Sequence, residues 1–163
     1  MQSSGSGVPE AVVIDANVVG AWAFQERNSP QASTLLNAVV AGGVIALVPE
    51  LFWAEFQQIC GKKRHRNWQQ RDGLGLPLAE VTRAYEDAER LPLVQIPVLR
   101  ELRSQAWDLR RRLDVSSYDA YYLALALQFG IELWTFDGDL RSLAETDPST
   151  AGVVRIVGAG LRP

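Results

Sequence analysis

The stretch AVVIDANVVGAWAF, residues 11–24, decides the fold. Its opening, Ala11–Ile14, is the short apolar run expected of a strand buried on both faces, and it ends on a carboxylate, Asp15. Asn17 is placed to cap the next segment, and Val18–Phe24 reads as an apolar helix. The unit recurs. Val44–Val48, Leu93–Ile96, Ile131–Thr135 and Val153–Val157 are further apolar runs of strand length. Helical segments lie between them. Ser29-Pro30 opens one that Gly42-Gly43 stops, and Pro49 opens another from Glu50 to about Lys63. Leu78, Val81, Tyr85 and Ala88 share a helix face that Pro92 ends. Leu99, Leu102, Ala106, Leu109 and Leu113 alternate spacings of three and four, while Ser116–Phe129 is apolar nearly all round, with Gly130 as its C-cap. Strands of this kind separated by helices predict an α/β fold whose parallel sheet is covered on both faces. Ligands in such folds bind outside the carboxyl ends of the strands.

Composition agrees. The chain has 163 residues, about one domain, with 47% hydrophobic and 21% charged residues. Disorder, collagen and coiled coil are excluded as whole-chain answers, and no apolar run reaches the ~18 residues of a membrane helix. One cysteine, Cys60, and one histidine, His65, leave no intrachain disulfide and no Cys-based zinc site. That usage fits a reducing, cytoplasmic compartment. Met1–Gly7 lacks a basic start and an apolar stretch, so it reads as a flexible Gly/Ser arm, of native or added origin, rather than a signal peptide. Residues 1–10 are assigned to this arm and 11–163 to a single domain. Net charge is −3 and the pI about 5.2, so a polyanion must be met by a local basic patch or by metal ions. No Gly-rich nucleotide motif follows a strand.

The carboxylates carry the chemistry. Asp15 follows the first strand and could equally serve as a cap or Asx turn. Glu55 shares its helix face with Leu51, Phe52 and Ile59, so it points inward, where a carboxylate needs a partner such as an arginine. Asp119 opens the most apolar helix within Ser116-Ser117-Tyr118-Asp119, which is also a variant capping box. Asp137 follows the fourth strand and, with Asp139, flanks Gly138 at an expected tight turn. Four acids on one rim of a sheet repel, and a divalent cation relieves that repulsion. Ligation by oxygen alone selects a hard ion, Mg²⁺ or Mn²⁺, of the kind that serves phosphoryl transfer.

Four blocks then resemble a known family: Val13-Ile14-Asp15-Ala16-Asn17, Pro49-Glu50-Leu51-Phe52-Trp53-Ala54-Glu55, Ser117-Tyr118-Asp119-Ala120 with the apolar run after it, and Leu133-Trp134-Thr135-Phe136-Asp137. They are similar to the signature blocks of PIN domains and, more narrowly, of the VapC toxins of VapBC toxin–antitoxin pairs. The resemblance spans roughly Val12 to Val157. It implies a three-layer α/β/α sandwich with a central five-stranded parallel sheet. It implies Mg²⁺ or Mn²⁺ held by Asp15, Glu55, Asp119 and Asp137, with Asp139 as a weaker candidate. It also implies metal-dependent endoribonuclease cleavage of structured RNA such as transfer or ribosomal RNA, leaving a 5′-phosphate and a 3′-hydroxyl. A VapB-like antitoxin inhibitor, a homodimer and a heteromeric complex with the antitoxin belong to the same expectation. Asn17 and Thr135 match positions that orient the carboxylates.

Substrate grip is expected from Lys62, Lys63, Arg64, Arg66 and Arg71, with Trp68 available for stacking. This long basic stretch, continuing to Pro77, departs from the family pattern. Arg110–Arg112 form a second basic run that reads more readily as a solvated, ion-paired face. Two alternatives stand beside the toxin reading: a PIN-like protein-binding scaffold whose acids are only caps, and a housekeeping PIN nuclease in RNA processing.

Overall fold

A computed structural model describes residues 9–65 and 74–158. The expected arm at 1–7, and Arg66, Trp68 and Arg71 of the basic stretch, lie outside the described residues.

In chain order the elements are β1 (Ala11–Ile14), α1 (Ala16–Ala23), α2 (Ser29–Val40), β2 (Ile45–Pro49), α3 (Phe52–Arg64), α4 (Leu78–Glu89), β3 (Leu93–Ile96), α5 (Arg100–Leu113), α6 (Ser117–Phe129), β4 (Glu132–Thr135), α7 (Gly138–Ala144) and β5 (Val154–Ile156). The five strands form one parallel sheet in the order β3-β2-β1-β4-β5. The chain lays β2 and β3 to one side of β1, then crosses over to place β4 and β5 on the other. The order therefore reverses between β1 and β4, which pair with Ile14 opposite Trp134. Crevices at such reversals, outside the carboxyl ends of the strands, are where open α/β sheets bind ligands.

Burial explains the layering. Val12, Val13 and Ile14 of β1 are fully buried, as a central parallel strand requires. Helix α6 lies on β1, β2 and β4 and is covered in turn by α5, so Leu123, Ala124, Leu125 and Ala126 have no exposed surface. Helix α1 packs with α2, α3 and α4 as the second helical layer, completing the α/β/α sandwich. Each fully buried Val, Leu or Ile contributes about 1.5–3 kcal/mol relative to exposure.

Three local readings change. Asp15, not Asn17, is the N-cap of α1, because its carboxylate accepts the Asn17 N–H. Gly138 opens a helix, α7, instead of closing a tight turn, because Asp137 accepts the N–H groups of both Asp139 and Leu140 and so fixes a first helical turn. Leu99 leaves the buried stripe of α5: it stands at the N-cap position and is 63% exposed.

Candidate functional site

Each of the four acids is fixed by a different local device at the carboxyl edge of the sheet or on a helix beside it. Asp15 is buried directly after β1, with its N–H bonded to the Trp134 carbonyl of β4 at 3.1 Å. Its Oδ2 accepts the Thr135 hydroxyl at 2.7 Å and the Asn17 amide at 2.9 Å, and its Oδ1 accepts the Asn17 N–H at 3.1 Å. The Asn17 amide also donates to Thr135 Oγ1, and its oxygen accepts the Phe136 N–H at 3.2 Å. Thr135 Oγ1 in turn accepts the Asp137 N–H at 2.9 Å. Asn17 and Thr135 thus tie the ends of β1 and β4 into one network whose centre is the Asp15 carboxylate.

Asp137 is held through Oδ1, which accepts the Asp139 and Leu140 N–H groups at 2.9 and 3.0 Å. Asp139 itself is exposed, and its carboxylate makes no bond among the described residues. Asp119 and Ser116 form a reciprocal capping box: Asp119 N–H donates to Ser116 Oγ at 3.1 Å, and the Ser116 hydroxyl returns a bond to Asp119 Oδ2 at 2.6 Å. Glu55 meets no arginine. Its Oε2 accepts the phenol of the buried Tyr122 at 2.7 Å.

A pattern emerges. Glu55, Asp119 and Asp137 each use one carboxylate oxygen for anchorage, and the other makes no hydrogen bond among the described residues. None of the four acids forms an ion pair with a lysine or arginine among the described residues. Their charges nevertheless reach one another. Asp15 is pushed up to about 6, chiefly by burial, with Asp119 and Asp137 adding repulsion against the lowering hydrogen bonds from Thr135 and Asn17. Glu55 is pushed up to about 7 by burial first and then by Asp15 and Asp119, opposed by Tyr122 and Lys62. Burial and Asp137 also raise Asp119, against its Ser116 bonds. Among the described residues no three of these side chains close up to the spacing of a filled cation cage. The carboxylates are near enough to raise one another's pKa. The donor set is oxygen alone and anionic, which suits a hard divalent ion.

The basic candidates separate. Lys63 is buried, with its ammonium 2.7 Å from Glu26. Lys62 borders a hollow of about 160 Å³ that Asn17, Gly20 and Ile59 also line, and Arg64 is exposed. Arg110, Arg111 and Arg112 are engaged by Asp114, Asp108 and Asp147, as an ion-paired face should be. Cys60 is buried and its thiol pushed up to about 11, so it offers no nucleophile at neutral pH.

Tyr122 is the residue that sequence reading passed over. It sits in an apolar run that reads as core, and it is core, with 1% exposure. The available signal was chemical: a phenol on a helix buried all round must find an acceptor. Replacing Tyr122 with Phe should leave the fold intact and release Glu55 from its fixed orientation. If Glu55 holds a divalent ion, loss of this orienting partner is expected to cost about 10–100-fold in ion affinity, measurable for Mn²⁺ by calorimetry.

The PIN domain family model matches residues 12–146. A toxin–antitoxin complex from Klebsiella pneumoniae has a chain of similar structure, with TM-score 0.56 and 16% identity over 88% of this chain and 95% of that one. Mycobacterium tuberculosis VapC20, described as a sarcin–ricin loop cleaving toxin, is similar with TM-score 0.57 and 20% identity over 93% of this chain and 99% of that one. A search of the curated proteins by sequence finds no match. The structural likenesses establish the shared architecture, and the family match covers most of the sequence: this chain belongs to the PIN domain family.

Proposed function

We propose that this protein is a divalent-metal-dependent endoribonuclease of the VapC kind, cutting structured RNA of the transfer or ribosomal class and restrained by a VapB-like antitoxin. The observation that most supports it is the uncompensated group of four carboxylates where the strand order reverses. In this reading Asp15, Glu55, Asp119 and Asp137 hold Mg²⁺ or Mn²⁺. When bound, such an ion stabilises charge on phosphoryl and leaving oxygens and lowers the pKa of an attacking water.

The chain's own residues set up that chemistry. Asn17 and Thr135 fix the plane of Asp15. Tyr122 fixes Glu55, Ser116 fixes Asp119, and two backbone N–H groups fix Asp137. Their unbonded oxygens are the ones left for a ligand. Lys62, beside Glu55, and exposed Arg64 are assigned to the RNA backbone, together with Arg66 and Trp68. Lys63, paired with Glu26, is assigned to holding α3 on the segment after α1. The antitoxin rests on the resemblance to VapC toxins and on the Klebsiella pneumoniae complex, and the homodimer on that resemblance alone.

A binding scaffold is the second reading, and one observation favours it: Asp15 and Asp137 are N-caps and Asp119 completes a capping box. Glu55 caps nothing, which weighs the other way. Incubating the purified protein with total cellular RNA in Mg²⁺ or Mn²⁺, in EDTA, and beside Asp119→Asn separates the two. Discrete fragments that vanish with EDTA and in the variant are expected. Cleavage that survives both would remove the metal-centre reading, and no cleavage under any condition by a folded protein that also fails to bind Mn²⁺ would favour the scaffold.

A further inference from the structure

The α5–α6 face carries a hollow of about 300 Å³ that the acid network does not use. Arg103, Trp107 and Arg110 line it from α5, and Ser117, Ala120 and Tyr121 from α6. Three features point to its occupant. Trp107 is 63% exposed, leaving most of a large aromatic ring open to a ligand. Arg103 makes no ion pair among the described residues, and Arg110 is held only by Asp114, whose side chain is 98% exposed. The guanidinium of Arg111 also stands 6.0 Å from the Trp107 ring. In a chain of net charge −3 this places cations and an aromatic surface together, on the face of α6 that carries Ser117 and Tyr121. Exposed aromatics among guanidinium groups are the chemistry that stacks bases and contacts phosphates of single-stranded nucleic acid.

We propose that this groove is a nucleotide subsite, in which an unpaired base of the RNA stacks on Trp107 while Arg103 and Arg110 take its phosphates. The proposal rests on the ribonuclease reading. Lys62 borders the hollow between α1 and α3, and Arg103 the one between α5 and α6. Charge complementarity favours RNA over an apolar partner here. Arg111 and Arg112 are paired within the chain, whereas Arg103 makes no ion pair among the described residues.

The test uses full-length Asp119→Asn protein, expected to be silent in cleavage, and a fluorescein-labelled oligoadenylate of about eight nucleotides, within the span such grooves cover. Trp107→Ala should weaken binding about tenfold or more, and Trp107→Phe should keep most of it. An abasic ribose-phosphate oligomer of the same length should bind the parent and Trp107→Ala alike. Arg103→Gln should reduce the slope of log affinity against log salt by about 0.7. In the cleaving protein Trp107→Ala should raise KM for RNA more than it lowers kcat. Unchanged oligoadenylate affinity in Trp107→Ala, with native cleavage intact, overturns the groove alone. Weaker binding that comes with conversion of a dimer to a monomer in sedimentation overturns it in favour of an interface between copies. If the native chain neither cleaves nor binds RNA, the ribonuclease reading falls and takes the groove with it.

Discussion

Glu55→Gln is expected to abolish cleavage and, at the same time, to make the metal-free protein more stable at pH 8. Both effects arise from one geometry. Glu55 accepts a hydrogen bond at Oε2 from Tyr122 and none at Oε1 among the described residues. A glutamine can keep the first with its carbonyl oxygen and turn its NH₂ to the other side. What disappears is a carboxylate that burial and its acidic neighbours raise from 4.5 to about 7. At pH 8 that charge costs on the order of 3 kcal/mol relative to the unfolded chain. Removing it should raise Tm by roughly 6–12 °C, given about 2–4 °C per kcal/mol for a domain of this size. Cleavage should fall by about a hundredfold or more, the scale of losing one electrostatic contact to a charged transition state. Asp15→Asn provides the contrast. Both of its oxygens already accept hydrogen bonds, so an amide must aim a donor at a donor, either the Asn17 N–H or the Asn17 and Thr135 side chains. It should lose cleavage without the gain in Tm. A Glu55→Gln protein that cuts RNA normally would remove Glu55 from the site, and an unchanged Tm would remove the electrostatic account.

The second large effect is the response of stability to pH and to divalent ions. Asp15 rises from 3.8 to about 6 and Glu55 from 4.5 to about 7. A carboxyl whose folded pKa lies above its unfolded value binds its proton more tightly when folded. Its contribution is complete below the unfolded pKa and is lost as pH climbs through the folded one. In EDTA the protein should therefore lose a few kcal/mol between about pH 4 and pH 7 through these two groups and level off above that. Mn²⁺ or Mg²⁺ should restore the loss at pH 8, in proportion to the logarithm of ion concentration above the dissociation constant. The ion should do little at pH 5, where it competes with protons. Scanning calorimetry across pH 5–8, with EDTA and with each ion, reads this directly. A Tm that rises over that interval in EDTA, or that ignores the ions at pH 8, would show that the acids are not an uncompensated cluster.

Much of this was readable from residues. The strands at Ala11–Ile14 and Leu93–Ile96 coincide with the observed ones, and the others differ by a residue or so at their ends. Strands buried on both faces announce themselves as unbroken apolar runs, which is why the sheet was legible. Helix α7 was not, because Asp-Gly-Asp fits a turn and a cap equally well; only the two N–H groups reaching Asp137 decide between them. Glu55 stood out because its neighbours on the helix are apolar, yet its partner did not. An arginine was the reasonable expectation, and a phenol from a helix sixty-seven residues further on supplies the bond instead. Lys63 shows the converse. A run of basic residues looks like one surface, but the helix turns each about 100° from the last, and Lys63 faces inward to Glu26 while Arg64 is exposed.

The strand order also governs when the site can exist during synthesis. Asp15 leaves the ribosome early, but β1 is the central strand and one of its edges stays unpaired until β4 has been made. Thr135 and Asp137 arrive with that strand, and Thr135 bonds Asp15 across 120 residues of chain. Such long-range pairing forms late, after the intervening loop has been closed. A nascent chain halted before β4 holds Asp15 and Glu55 but neither Asp137 nor the network that orients Asp15. The network around Asp15 is therefore complete only when β4 has joined the sheet.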